Sequence, residues 1–192
     1  GELKASAFGN IEEYACSCGA LLRECPFWTA IEQRIQARES KFDLHHWQTH
    51  FRPSGGIRSK VLANGLKGPS FERLRDLAIS AIPGLAATRA QIVKNNAQVI
   101  QAVVESTNTS AFIDGSKDPI RAHYLMDSKL WDCSIITLIR DGRGFCNSYM
   151  RHTSAPMAEA VAQWKAKVSE IEHLQRIAGP RSIVVRYEDL CE

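Results

Sequence analysis

The chain has 192 residues, 44% of them hydrophobic and 23% charged, the balance of a globular domain large enough for a sizeable core. A net charge of +3, from 24 Lys and Arg against 21 Asp and Glu, is too mild for a nucleic-acid binder and compatible with a local basic pocket for a small anion. No stretch approaches the length of a membrane span and no signal-peptide pattern is present, which points to a cytoplasmic protein, although the chain opens on Gly1 rather than Met and reads as a piece of a longer one.

Residues 2–14 show no firm period. Cys16, Cys18 and Cys25 then form C-x-C-x6-C, three of the six cysteines. The pattern lacks a fourth ligand at ordinary zinc-site spacing. His45, His46 or His50 would supply one only if the fold brings them close; a disulfide or a turn of buried thiols is the alternative, and no metal ligand is assigned. Pro26, at a first helical position, opens a helix over 27–38 with Phe27, Ile31 and Ile35 on one face. Residues 39–69 are rich in His, Gly, Ser and Pro and read as loop. A helix over 70–82, capped by Ser70, stops at Pro83-Gly84. Thr88 caps a longer one running to about Thr107, with Ile92, Val93, Val99, Ile100, Val103 and Val104 on a broad apolar side. The region of about 26–107 thus reads as a helical insertion in a single domain spanning 1–192.

Residues 111–114 form a short predicted strand, followed by Gly115-Ser116-Lys117-Asp118-Pro119. Asp118 as N-cap and Pro119 at N1 predict a helix through Leu125, which sets Lys117 at a strand's carboxyl end. The unbroken apolar run Ile135–Ile139 predicts a parallel strand covered on both faces. It stops at Arg140-Asp141-Gly142-Arg143-Gly144, and helix-compatible residues follow. Open α/β sheets hold anions at such strand ends and helix N-termini. Arg140 can fork onto a phosphate and Ser148 can add a hydroxyl; alternatively the arginines pair with Asp141, Asp118 or Asp189. Neighbouring strands would present Lys117 and Arg140 to one crevice. A helix over 157–178, with Met157, Val161, Trp164, Val168, Ile171 and Leu174 on its apolar face, leads to a last strand over 183–187. A helix joining two strands this way makes the right-handed crossover of a parallel sheet.

These blocks resemble the sulfotransferases that use 3′-phosphoadenosine-5′-phosphosulfate (PAPS). LIRDGRGFCNSYMR is similar to the family's 3′-phosphate-binding segment, with Arg140 and Ser148 at the matching positions. SKDPI resembles the KDP of protein-tyrosine sulfotransferases, whose lysine, here Lys117, acts at the sulfuryl group. VVRYEDL resembles the strand whose tyrosine, here Tyr187, lies near the base. GEL with CSCG and ECPFW resembles the opening of bacterial members just after their first helix. The resemblance implies a three-layer α/β fold, a parallel sheet flanked by helices of the P-loop NTPase-like type. The chain departs from it in lacking the first strand and the Ser/Gly/Thr-rich loop for the 5′-phosphosulfate: Gly55-Gly56 follows no strand, and Gly65-Leu66-Lys67-Gly68 opens no obvious helix. The piece is therefore read as starting after that loop, with a reduced donor site.

The implied reaction is in-line sulfuryl transfer from PAPS to a hydroxyl acceptor, a carbohydrate, lipid, small alcohol or peptide tyrosine. PAPS carries its own activated group, so the chemistry requires no metal. Arg140 and Ser148 would hold the 3′-phosphate, Lys117 the transferring group, and Glu2 would take the acceptor's proton by resemblance to the tyrosine branch. His123, His152 and His173 are alternatives for the base that read more readily as exposed or structural. Arg143 would assist the phosphate or pair with an acid. A non-catalytic nucleotide-binding module and a helical interaction protein are the competing readings.

Overall fold

A computed structural model describes residues 15–43, 47–51 and 60–190. Glu2, His45, His46, Gly55-Gly56 and Cys191 lie outside them. In order come a 3-10 turn (Leu22–Glu24), α1 (Pro26–Gln36), α2 (Pro69–Ala81), α3 (Pro83–Thr107), α4 (Pro119–Asp127), β1 (Ile135–Ile139), α5 (Gly142–Thr153), α6 (Met157–Ala178) and β2 (Ser182–Arg186). The 3-10 turns Gly179–Arg181 and Glu188–Leu190 flank β2. The protein is mixed α/β and mostly helical, and its sheet, among the described residues, is the parallel pair β1–β2. No described helix is long and apolar enough to cross a membrane. The chain divides into two compact units: the described residues to Asn64 with Leu77–Asp118, and Gly65–Asp76 with the chain from Pro119 on.

In the first unit the core joins Trp28, Ile31 and Ile35 of α1 to Val99 and Ala102 of α3, with Cys16, Leu22, Cys25 and Phe42. Phe27, predicted on the buried face, is 40% exposed, and its neighbour Trp28 is buried in its place. The larger indole gains more from burial, and Phe27 lies edge-on against it at 5.2 Å. α3 begins at Pro83 rather than after Thr88, because extended Ile82 leads into a proline whose fixed φ starts the helix. The Thr88 hydroxyl, inside the helix, donates back to the Gly84 carbonyl at 2.7 Å instead of capping. The helix ends where predicted, on left-handed Asn108 (φ 49°). Two buried amides of α3 hold a loop: Asn95 donates to the Gln48 carbonyl and Asn96 to that of Thr49, each at 2.8 Å.

The predicted strand over 111–114 is not formed; the segment has no regular structure and Ile113 is 89% exposed. A short β-prone run becomes a strand only with a partner to satisfy its backbone groups, and no described strand pairs with it. The helix expected after it does form, starting at Pro119.

In the second unit β1 and β2 run parallel, with Ile135 opposite Ser182 through to Ile139 opposite Arg186. α6 connects them through α5 and packs on both strands and on α5, a βαβ unit. The buried line of α6 is Ala160, His173, Leu174 and Ala178, with Val161, Trp164, Val168 and Ile171 half-buried beside it and Met157 54% exposed. Two small alanines, Ala160 near the start of the helix and Ala178 at its end, are buried where Val161, Trp164, Val168 and Ile171 of the predicted face are only half-buried. β1 corrects a further expectation: Thr137 is buried, but Ile136 (70%) and Leu138 (53%) are exposed, as is Ile183 (57%) on β2. On β2 both Ile183 and its neighbour Val184 (52%), which point to opposite faces, are exposed, so the covered face is closed over Thr137 of β1 and not over β2.

Candidate functional site

β1 delivers Arg140 to its carboxyl end, and β2 delivers Tyr187 beside it: the Tyr187 N–H donates to the Ile139 carbonyl at 2.8 Å. The Arg140 guanidinium lies 5.4 Å from the centre of the Tyr187 ring, a cation–π contact. Its other side rests against α5 at Gly144, where an added Cβ would stand 2.9 Å from Arg140 Nε. Ser148 is four residues beyond Gly144 and so one turn along the same face of the helix. Arg140 and Tyr187 are brought together at the sheet's end, with Ser148 one helical turn beyond Gly144. Among the described residues, no carboxylate pairs with Arg140.

The other arginine of the turn behaves differently. Asp141 caps α5, accepting from the Arg143 N–H at 3.2 Å and from Arg143 Nε at 2.9 Å, and the Arg143 side chain is 94% exposed. Of the two alternatives for Arg143, pairing with an acid is the one formed. These bonds, the backbone N–H first, hold the Asp141 carboxyl below its usual range. Glu188 accepts from the Asp141 N–H at 3.0 Å, and that bond lowers its pKa too. The helix N-terminus is thus met by the protein's own acids, Asp141 and Glu188, which also feel the charge of Arg186 at the end of β2.

Lys117 sits just before α4 in the first unit, exposed, with φ 54° in the left-handed region. Its neighbour Ser116 donates its N–H to Asp114 Oδ1 at 2.9 Å. Because residues 111–114 form no strand, Lys117 does not stand at a strand's carboxyl end, and the expectation of two strand tips side by side is corrected to one. Gly65–Gly68, predicted to open no helix, leads directly into α2. Its Lys67 N–H is taken by Glu72 Oε1 at 3.0 Å, so this helix start is also closed by its own acid.

His123 and His173, alternatives for the base, belong to a polar cluster in the second unit whose other members, Glu72, Arg75 and Asp76, the sequence did not single out. Arg75, with a side chain 2% exposed, pairs with Glu72 and with Asp76 at 3.0 Å, and faces the ring of buried Tyr124 at 5.4 Å. His123 Nε2 approaches Asp76 Oδ2 at 3.5 Å. Glu72, Asp76, His123 and His173 border a cleft of about 320 Å³ that Arg73 and Arg176 also line. Burial alone would raise the Asp76 carboxyl; His123 and Arg75 outweigh it and hold it below its ordinary value. Burial pushes the His173 imidazole down and keeps it neutral. Glu72 and Arg75 have the i, i+3 spacing of an ordinary surface pair on a helix, and nothing local marks them as buried.

In the first unit the three cysteine thiols singled out by spacing do meet. Cys25 Sγ stands 3.4 Å from that of Cys16 and 3.6 Å from that of Cys18. A hydrogen bond from the Cys18 backbone, then one from the Cys25 thiol, brings the Cys16 thiol down to about 6. Known family models, curated proteins and solved structures, each compared with the chain, return no match.

Proposed function

We propose that the chain is a sulfotransferase domain that moves a sulfuryl group from PAPS to a hydroxyl acceptor. The observation that carries this reading is Arg140: a guanidinium at the end of a parallel strand, set between an aromatic ring and a bare stretch of helix backbone, with no acid partner among the described residues. A fork held open in this way suits a phosphate dianion. Ser148, on the same helical face, adds a hydroxyl donor, and Tyr187 offers a ring against which adenine can stack. The proposed three-layer sheet would be completed by strands beyond the described pair.

In the proposed reaction the acceptor oxygen attacks sulfur in line as the bond from sulfur to the bridging oxygen breaks. Adenosine 3′,5′-bisphosphate leaves with the electron pair. The resemblance assigns Lys117 to the charge that grows on the bridging oxygen and the transferring group, and Glu2 to the acceptor's proton. Arg140 and Ser148 select the donor, because the 3′-phosphate distinguishes PAPS from ATP.

Calorimetry with adenosine 3′,5′-bisphosphate tests the reading. The chain is expected to bind it, and Arg140→Ala to weaken binding by about 1.5–3 kcal/mol, tenfold or more in Kd. Binding that ignores Arg140→Ala overturns the assignment. Where binding holds, a sulfuryl-transfer assay separates an enzyme from a binding module: Lys117→Ala should lower turnover far more than nucleotide affinity.

A further inference from the structure

Cys16, Cys18 and Cys25 have no part in the sulfuryl-transfer reading, yet they are the most specifically arranged chemical groups of the first unit. Their three Sγ atoms lie within 4.8 Å of one another, and all three are free thiols. Around a tetrahedral zinc ion, bonds of about 2.3 Å set sulfurs about 3.8 Å apart. The measured separations of 3.4 and 3.6 Å are near that spacing.

The backbone explains why the sulfurs converge. Gly19, at φ 89°, makes the left-handed step of a tight turn in which its N–H donates to the Cys16 carbonyl at 2.8 Å. The Cys16 N–H returns to the Ala20 carbonyl at 2.7 Å, and Ala15 bridges to Leu21. This turn carries two thiols. The 3-10 turn then brings Cys25 to the start of α1, where its carbonyl accepts from the Thr29 N–H at 3.0 Å. Cys25 is 1% exposed and Cys16 9%, both in the cluster with Leu22, Trp28 and Ile31, whereas Cys18 is exposed and leaves an entry side.

We infer that Cys16, Cys18 and Cys25 form a three-thiolate site for a thiophilic d10 cation, zinc foremost, that pins the 15–25 turn to α1. Binding forms three metal–sulfur bonds, releases the thiol protons and part of the ion's water shell, and transfers no electrons. One retained water completes the tetrahedron. The site stands independently of the nucleotide reading.

The test uses the whole chain, reduced and freed of metal, titrated with Co²⁺ as a spectroscopic stand-in and then with Zn²⁺ in competition. One cobalt per chain, with a thiolate-to-metal charge-transfer band abolished by zinc, is the expected result. Because Cys16 and Cys25 are buried and their replacement risks misfolding, the diagnostic variant is Cys18→Ser, its helicity checked by circular dichroism. Cys18→Ser should weaken metal binding on the order of 100-fold or more, since loss of an outer-sphere partner alone costs 10–100-fold; Cys133→Ser should leave it unchanged. Zinc should raise the Tm of the wild-type chain and not that of Cys18→Ser. Absence of the charge-transfer band, equal affinity in Cys18→Ser, or a disulfide among the three in protein kept under reductant overturns the inference.

Discussion

Gly144 carries no side chain where the Arg140 guanidinium lies against α5, and a Cβ there would meet Nε at 2.9 Å. Gly144→Ala therefore acts twice, with opposite signs. Alanine inside the first turns of a helix stabilises by about 0.5–1 kcal/mol relative to glycine. The same methyl displaces the long arginine side chain, which yields more readily than the backbone, and should weaken adenosine 3′,5′-bisphosphate about tenfold through a misaligned charge-assisted bond. Thermal unfolding and calorimetry on one variant would show Tm and Kd rising together. The contrast with Arg143, tied to Asp141 and almost fully exposed, shows why two arginines three residues apart are not equivalent. Spacing does not show which guanidinium an acid has already claimed.

α2, α4 and α6 supply the groups around His173: Glu72, Arg75 and Asp76, then His123, then Arg176. The pH dependence of stability follows from how these elements pack. His173 is depressed chiefly by burial, so below the ordinary imidazole pKa of about 6.5 the unfolded chain binds a proton that the folded one resists. Asp76 is depressed by its partners, so it adds a second loss as pH falls below about 4. Both signs agree: stability declines on acidification. Urea unfolding from pH 7.5 to 4 should show a loss beginning near pH 6.5, and His173→Gln should flatten that first limb; an unchanged slope would place the titrating group elsewhere. Several of these elements were legible in the chain. Pro26 and Pro119 announced two helix starts, Gly179 ended α6, and the β-branched run before Arg140 gave β1. The failures share a cause: a strand over 111–114, burial of both sheet faces, which residues of α6 are buried and a buried ionic group all depend on neighbours distant in sequence. The cysteine spacing was visible, but the closing of its third member depends on a turn and a 3-10 step that bring Cys25 back.

Over the whole molecule the chain does not complete one unit before beginning the next. It leaves the first at Asn64, returns at Leu77 and leaves again at Asp118. Residues 119–190 on their own would lack Glu72, Arg75 and Asp76, leaving the Tyr124 ring without its guanidinium and His123 without its acid. Such a fragment should show no cooperative melting transition, and a separate peptide of residues 65–76 should restore one. A sharp transition in the fragment alone would mean that these ion pairs are dispensable. Shortening the gene from either end therefore isolates neither half alone: a chain from position 65 on keeps the whole second unit but drags along 77–118, and one ending at 118 keeps the whole first unit but drags along 65–76. Anyone wanting the arginine fork free of all of the first unit would have to rewire the backbone, joining position 76 to position 119 through a new linker.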